Sequence, residues 1–281
     1  MIQIITDTMS DIAQEEGRRH GIVVLPMYVL FGSESYLDGV NLSLEQFYEK
    51  LAVAETPPKT SQVSPESFQS AFEAALARGD EVLCIIGSSK LSGSYQSANI
   101  ARATQPAGAP IFLIDSLGAT ASEQILVWEA ARLRDAGESA AAIAETLTAL
   151  VSRVEFAASV KDLKHLVMGG RLSATSAYIG GTLSLRPMLR LVKGKLEQAG
   201  LARGKKRSFD WFQKQLDNAP RDENFPLYLA SSNAREALGE LQTYLEKKGV
   251  RADEIRKIDA GSIIGSHAGQ GAFAIAWVRK A

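Results

Sequence analysis

The chain has 281 residues, of which 46% are hydrophobic and 22% charged, proportions that predict a fully folded protein of one large or two smaller domains. Its 31 basic and 32 acidic residues leave a formal charge of −1, which gives no overall attraction to nucleic acid or to an anionic membrane. The chain contains no run of about 18 apolar residues and no signal-peptide pattern at its start. We therefore expect a cytoplasmic protein without a transmembrane segment, for which transient contact with a membrane surface stays open.

Short apolar runs alternate with helical patterns in the first half of the chain. Strands are predicted at 2–6, 81–86 and 111–114, and helices at 43–51, 64–76, 94–103 and 119–136, with a second apolar stretch at 23–31. This strand–helix order is typical of a doubly wound parallel sheet. The segment Pro57–Pro65 is predicted to be a loop, because each proline restricts its own backbone and that of the residue before it.

The second half of the chain mixes a hairpin with helices, which indicates an α+β arrangement. Met188–Gln198 reads as a hairpin about Lys193 and Gly194. Further strands are predicted at 156–160, 226–231, 256–259 and 273–278, and helices at 138–153, 162–167, 208–217 and 234–247. The predicted fold class is α/β with two domains: an N-terminal doubly wound parallel-sheet domain at 1–155 and a C-terminal α+β domain at 156–281.

Three polar clusters stand near the ends of predicted strands: Lys59–Gln62, Gly87–Ser94 and Ile264–Gly269. Ligands of open α/β sheets bind outside the carboxyl ends of the strands, and the N–H groups that open a helix attract anions such as carboxylates. The competing interpretation is that these serines and threonines only cap helices and close turns. His267 lies among small residues of the third cluster, where it is either a ligand-binding or a structural histidine.

Motifs for catalysis or for a cofactor are absent from the sequence. It has no HExxH or CxxC metal spacing, no GxSxG nucleophile turn, no GxxxxGK[ST] phosphate loop and no GxGxxG fingerprint. We therefore expect no metal, no cofactor and no catalytic residue. The lone Cys84 lies in an apolar run and is interpreted as a buried hydrophobic residue. The glycine turn before Arg171 and the basic residues after it form either a solvated face or a docking face for an acidic partner.

Seven short segments, spread over nearly the whole chain, carry a resemblance to a known family. They are Ile5–Asp11, Thr60–Gln62, Ser88–Ala98, Ile114–Ser116, Leu163–Ser173, Arg186–Leu189 and Ile264–Gly269. In this order they resemble the DegV family. The chain departs from the family's pattern at Gln270, where members often have proline, and at Arg186, where they often have lysine.

The resemblance implies a two-domain protein that holds a long-chain fatty acid between its domains. Family members serve as the non-catalytic, fatty-acid-binding subunit of bacterial fatty acid kinase. A separate ATP-dependent kinase subunit phosphorylates the bound carboxyl group to an acyl phosphate for phospholipid synthesis. By position, the residues that bind the carboxylate would be Thr60, Ser61, Ser92, Gly93 and His267, and those that face the kinase would be Arg171 and Arg203.

Two other functions remain open from the sequence. One is an acyl-ester hydrolase that uses Ser92 and His267, although no residue to orient the histidine is evident. The other is a phosphosugar- or nucleotide-binding module built on the Ser/Gly turns. For the fatty acid interpretation, we expect hydroxyl and N–H donors at the carboxylate. A fixed cation would reduce the nucleophilicity of an oxygen that must attack phosphorus.

Overall fold

A computed structural model describes residues 1–173 and 185–281 of the chain. The strands are, in chain order, β1 (Ile2–Asp7), β2 (Ile22–Leu25), β3 (Tyr28–Phe31), β4 (Glu34–Leu37), β5 (Lys59–Ser61), β6 (Glu81–Ile86), β7 (Ile111–Asp115), β8 (Val154–Ser159), β9 (Leu185–Val192), β10 (Lys195–Arg203), β11 (Leu227–Ser232), β12 (Ile255–Asp259) and β13 (Ala272–Val278). The helices are α1 (Gln14–Arg19), α2 (Leu44–Val53), α3 (Pro65–Ala77), α4 (Ser94–Ala103), α5 (Ala121–Asp135), α6 (Ala140–Val151), α7 (Lys164–Met168), α8 (Gly204–Asn218), α9 (Arg235–Glu246) and α10 (Ser262–Ala268). Two single 3₁₀ turns are Thr8–Ser10 and Ala252–Glu254.

The first half of the chain forms a four-stranded parallel sheet in the order β2-β1-β6-β7. Val82–Ile86 of β6 is completely buried, as expected of a parallel strand that is covered by helices on both faces. The predicted parallel sheet is confirmed. A small antiparallel sheet in the order β4-β3-β5 lies beside it.

The second half forms a mixed six-stranded sheet in the order β10-β9-β8-β13-β11-β12. Its pairs are antiparallel except for β11 and β12. The predicted hairpin is β9–β10, and its two turn residues, Lys193 and Gly194, have φ of 49° and 82°. Positive φ at both positions matches the twist of the flanking strands.

The two large sheets enclose helix α5. One continuous core joins Ile4 and Leu83 of the first sheet to Leu126 of α5 and to Ala158 and Ala274 of the second sheet. Helices α3 and α4 cover the outer face of the first sheet, and α8 and α9 cover that of the second. The inner face of the second sheet is thus turned toward the first half of the molecule.

Cys84 lies in the first sheet and is fully buried, where burial raises the pKa of its thiol. This agrees with its interpretation as a small hydrophobic residue.

Three segments differ from what the sequence indicated. The apolar stretch at 23–31 contributes to two strands, β2 and β3, which Pro26 separates. The predicted loop Pro57–Pro65 contains β5, because the extended backbone that follows two prolines pairs with the edge of β3. Residues 262–268 form helix α10, a segment for which no helix was predicted from the sequence.

The chain passes from the first to the second large sheet between β7 and β8. A domain boundary near residue 155 stays a prediction. Helix α10 complicates it, because this helix comes late in the chain and packs on α2, β3 and β5 of the first half.

Candidate functional site

The site is centred on a contact between Thr60 and His267, which lie 207 positions apart in the sequence. Thr60 Oγ1 and His267 Nε2 are 2.9 Å apart, and both side chains are half-buried. Pairing of β5 with β3 sets Thr60 opposite Val29, and the last turn of α10 carries His267 onto β5. Two segments that were singled out separately in the sequence therefore meet.

The end of helix α7 packs directly on the imidazole of His267. A Cβ atom at Gly169 would lie 2.4 Å from His267 Nδ1, although the φ of −75° at Gly169 suits any residue. Glycine is therefore required here for space and not for backbone conformation. The glycine turn is recognisable in the sequence, but nothing there connects it with the histidine.

Arg171 belongs to the same cluster. Its Nε donates to the carbonyl of Leu91 (3.0 Å) and its Nη1 to the carbonyl of Gly169 (2.6 Å), so it joins the end of α7 to the loop before Ser92. The side chain is half-buried, and burial lowers the pKa of its guanidinium. A guanidinium therefore lies in the same cluster as His267, and the expectation that the carboxylate meets hydroxyl and N–H donors without a fixed cation stays a prediction.

His267 is neutral at ordinary pH. Burial lowers its pKa to about 4, with further contributions from the positive charge of Arg171 and from His165. Its Nδ1 is buried without a hydrogen-bond partner among the residues that the structure describes. A Ser/His hydrolase needs an acid at that nitrogen, and here the nitrogen packs on Gly169 instead.

Ser92 and Gly93 lie at the start of α4, on the other side of Arg171. Ser92 is buried, its Oγ lies 3.1 Å from Ser94 Oγ, and it accepts from the Ser94 N–H (3.2 Å). Gln62 donates to Ser97 of α4 (2.8 Å), and a Cβ at Gly93 would lie 1.8 Å from Gln62 Oε1. These contacts hold the chain after β5 against the start of α4. We call Thr60, Ser92, Gly169, Arg171 and His267 the polar cluster.

Ser61 and Arg203 lie at the surface. Ser61 is exposed and follows Thr60 in β5, so its side chain points away from the face that Thr60 presents to His267. Arg203 is exposed at the junction of β10 and α8. The carboxylate-binding role of Ser61 and the docking roles of Arg171 and Arg203 stay predictions.

An apolar cavity opens next to the polar cluster. It has a volume of about 90 Å³ and lies between the inner face of the second sheet and α10, and the described residues that line it present apolar atoms to it. Its lining includes Leu91, next to Ser92, and Ala268, next to His267. Small residues of the sheet strands form much of its wall: Ala158, Ala230, Ala272 and Ala274. The arrangement therefore places hydrogen-bonding groups at one end of an apolar space.

Among residues 1–173 and 185–281, no set of three or more His, Cys, Asp and Glu side chains is arranged to hold a metal ion. In the same ranges, no helix is long and apolar enough to cross a membrane.

The chain is similar to proteins of known sequence and structure along its whole length. A DegV domain-containing protein of Caldanaerobacter subterraneus is 34% identical over 280 residues, which are 99% of each chain. A solved structure described as fatty acid binding of a DegV family protein from Thermus thermophilus has a TM-score of 0.90 at 30% identity and covers 99% of both chains.

A third likeness is one of fold alone. The Streptococcus pneumoniae Fatty Acid Kinase (Fak) B3 protein, loaded with linoleic acid, has a TM-score of 0.87 at 22% identity, and the match covers 100% of both chains.

The family model described as uncharacterised protein, DegV family, matches residues 1–280 of this chain. With matches of this extent in sequence and in fold, the chain belongs to the DegV family.

Proposed function

We propose that this protein binds a long-chain fatty acid, with the carboxylate at the polar cluster and the acyl chain in the apolar cavity. One observation carries the proposal: a cavity with a purely apolar wall ends beside the Thr60–His267 pair. The likeness to the Thermus thermophilus protein supports the choice of a fatty acid over other amphipathic ligands.

The energetics of an acyl chain match such a site. Burial of a methylene group is worth about 0.8 kcal/mol, so fourteen methylenes contribute on the order of 11 kcal/mol before the costs of association. The cavity of about 90 Å³ is smaller than the roughly 300–1,000 Å³ of typical ligand sites. We therefore expect the cavity wall to move apart when a complete chain enters.

The polar cluster suits a carboxylate that must remain reactive. Neutral His267 and the hydroxyls of Thr60 and Ser92 offer hydrogen bonds without neutralising the charge. Two backbone carbonyls already engage the Arg171 guanidinium. With these hydrogen bonds made within the protein, the guanidinium does not need to form a bidentate pair with the ligand, and the carboxylate oxygens keep their nucleophilicity.

We further propose that the bound carboxylate is presented to a separate ATP-dependent kinase subunit. The family motifs and the likeness in fold to the pneumococcal protein support this step. Of the two arginines predicted to face the kinase, Arg203 is the exposed one, and Arg171 is engaged within the polar cluster. Arg203 is therefore the better candidate for direct contact with a partner.

Native mass spectrometry of the protein purified from bacteria tests the fatty acid proposal. We expect the protein to carry an added mass that equals one C16–C18 fatty acid, and extraction with organic solvent to release that acid. A protein that is loaded with a nucleotide or a phosphosugar, or that takes up no fatty acid after delipidation, would contradict the proposal. Turnover of a p-nitrophenyl acyl ester would instead favour the hydrolase.

A further inference from the structure

Helix α10, which carries His267, begins against two aspartate side chains from the first half of the chain. The Gly261 N–H donates to Asp11 Oδ1 (2.8 Å), and Ser262 Oγ donates to Asp38 Oδ1 (2.5 Å). These contacts bridge about 250 and 224 positions of sequence, so local chain geometry does not impose them. The start of α10 is therefore held by residues from the first half of the chain.

Both aspartate side chains are buried where they meet the start of α10. Asp38 is 8% exposed, and Asp11 Oδ2 is buried. Burial raises the pKa of Asp38, and hydrogen bonds from the Ser262 and Thr8 hydroxyls and from the Ser262 and Ile263 N–H groups oppose that rise. Asp38 thus accepts from the N–H groups that open α10, as a capping residue does, although it belongs to a different part of the chain.

The body of α10 has little room to move. A Cβ atom at Gly265 would lie 2.5 Å from the Phe47 ring, so the helix packs directly on α2. Beyond its end, Ser232 Oγ donates to the Gly269 carbonyl (2.6 Å) and Gln270 Nε2 donates to the Tyr48 carbonyl (3.1 Å). His267 lies five residues after Ser262 on a rigid element, so a shift at the start of α10 moves the imidazole as well.

We infer that Asp38 and Asp11 are positioning residues for the carboxylate site: they hold the start of α10 and so set His267 Nε2 against Thr60. This inference rests on the proposed function. Neither aspartate contacts the ligand, and each acts through His267.

The test is carboxylate selectivity, measured as the ratio of the affinities of delipidated protein for palmitate and for hexadecanol. The two ligands share an acyl chain, so a general loss of packing weakens both and leaves the ratio unchanged. We expect Asp38→Ala to lower the ratio about tenfold, as His267→Ala does. In the His267→Ala background, Asp38→Ala should lower it no further, because a residue that acts through His267 has no effect once the imidazole is gone.

Asp80→Ala is the matched control. Asp80 is also a buried carboxylate, 5% exposed, but it pairs with Arg78 and the N-terminus at the start of β6. Its loss should reduce stability and leave the ratio unchanged. If Asp38→Ala does not fold, Ser262→Ala removes the hydroxyl donor with a smaller perturbation and should lower the ratio about threefold.

The outcomes separate the two proposals. The positioning role would be overturned if the losses in the affinity ratio from Asp38→Ala and His267→Ala multiplied in the double variant. It would also be overturned if Asp38→Ala weakened the binding of both ligands equally. Either result would leave fatty acid binding intact. A wild-type protein that binds neither ligand, or does not distinguish them, would overturn the proposed function and this inference together.

Discussion

The polar cluster and the apolar cavity meet at one point but are assembled in different ways. The wall of the cavity comes largely from adjacent strands of one sheet, where small and large side chains alternate along β13: Ala272, Ala274 and Ala276 face inward, and Phe273, Ile275 and Trp277 face outward. The polar cluster takes its members from β5, the start of α4, the end of α7 and α10. The cavity wall therefore follows from the alternation of side chains along a strand, which is a local feature of the sequence. The polar cluster forms only after distant segments have packed together.

The largest effect is expected at the apolar end. Ala274→Leu places three additional carbons in the cavity, which should displace about three methylenes of the ligand. At about 0.8 kcal/mol each, palmitate affinity should fall roughly 50-fold. Titration calorimetry with delipidated protein measures this change.

Ala276→Leu is the control for that substitution, because Ala276 lies on the same face of β13 within the closed core. It should reduce stability by overpacking and have little effect on affinity. If both variants lost affinity equally, the acyl chain would not lie along the cavity.

Gly169→Ala tests the contact between the end of α7 and His267. The added methyl group would lie 2.4 Å from His267 Nδ1, so the imidazole must turn away from Thr60. We expect about a 20-fold loss of palmitate affinity from one lost charge-assisted hydrogen bond and the displaced ring. Gly239→Ala, on a helix surface with open space around it, should bind as the wild type does. Unchanged binding by Gly169→Ala would show that the ligand does not need His267 in its present position.

Thr60→Ala should reduce palmitate affinity about tenfold, since a hydrogen bond to a charged group contributes about 1.5–3 kcal/mol and part of it is replaced by water. Ser61→Ala is the matched control, because Ser61 is exposed and points away from His267. We expect Ser61→Ala to remain within about twofold of the wild type. An equal loss in a fluorescent fatty acid displacement assay would extend the polar cluster to the other face of β5.

The smallest effect concerns stability and pH. Burial raises the pKa of Asp11 to about 8, so the folded protein keeps a proton that the unfolded chain releases near pH 4. The folded state therefore binds more protons between these values, and its stability falls as pH rises through this window. The buried His267, with a pKa of about 4, acts in the opposite direction, but only below about pH 6.5.

Asp11→Asn keeps an oxygen for the Gly261 N–H and cannot ionise. Between pH 6.5 and 8 its melting temperature should therefore fall less than that of the wild type. The corresponding losses in free energy of unfolding should differ by about 1 kcal/mol at pH 8. If the melting temperatures of the two proteins fell by the same amount between pH 6.5 and 8, Asp11 would not hold this proton.

Much of the fold could be predicted from the sequence, because it depends on neighbours along the chain. The apolar run of β6, the Ser64 cap that opens α3 and the Lys193–Gly194 turn all act over a few residues. Predictions failed where a distant partner decided the outcome. Strand β5 exists because β3 offers it an edge, and α10 is held at its start by Asp11 and Asp38.

The proposed carboxylate site divides in the same way. The hydroxyl, glycine and histidine segments could be recognised in the sequence, and a family resemblance could order them. Their arrangement in space could not be predicted from the sequence, because Thr60 and His267 are 207 positions apart and Arg171 donates to two backbone carbonyls inside the protein. The sequence by itself determined the strands, the caps and the inventory of polar groups, because these follow from short-range periodicity and hydrogen bonding. The tertiary structure decided which of those groups share one site, because only the packing of α10 and α7 on the first half brings them into contact.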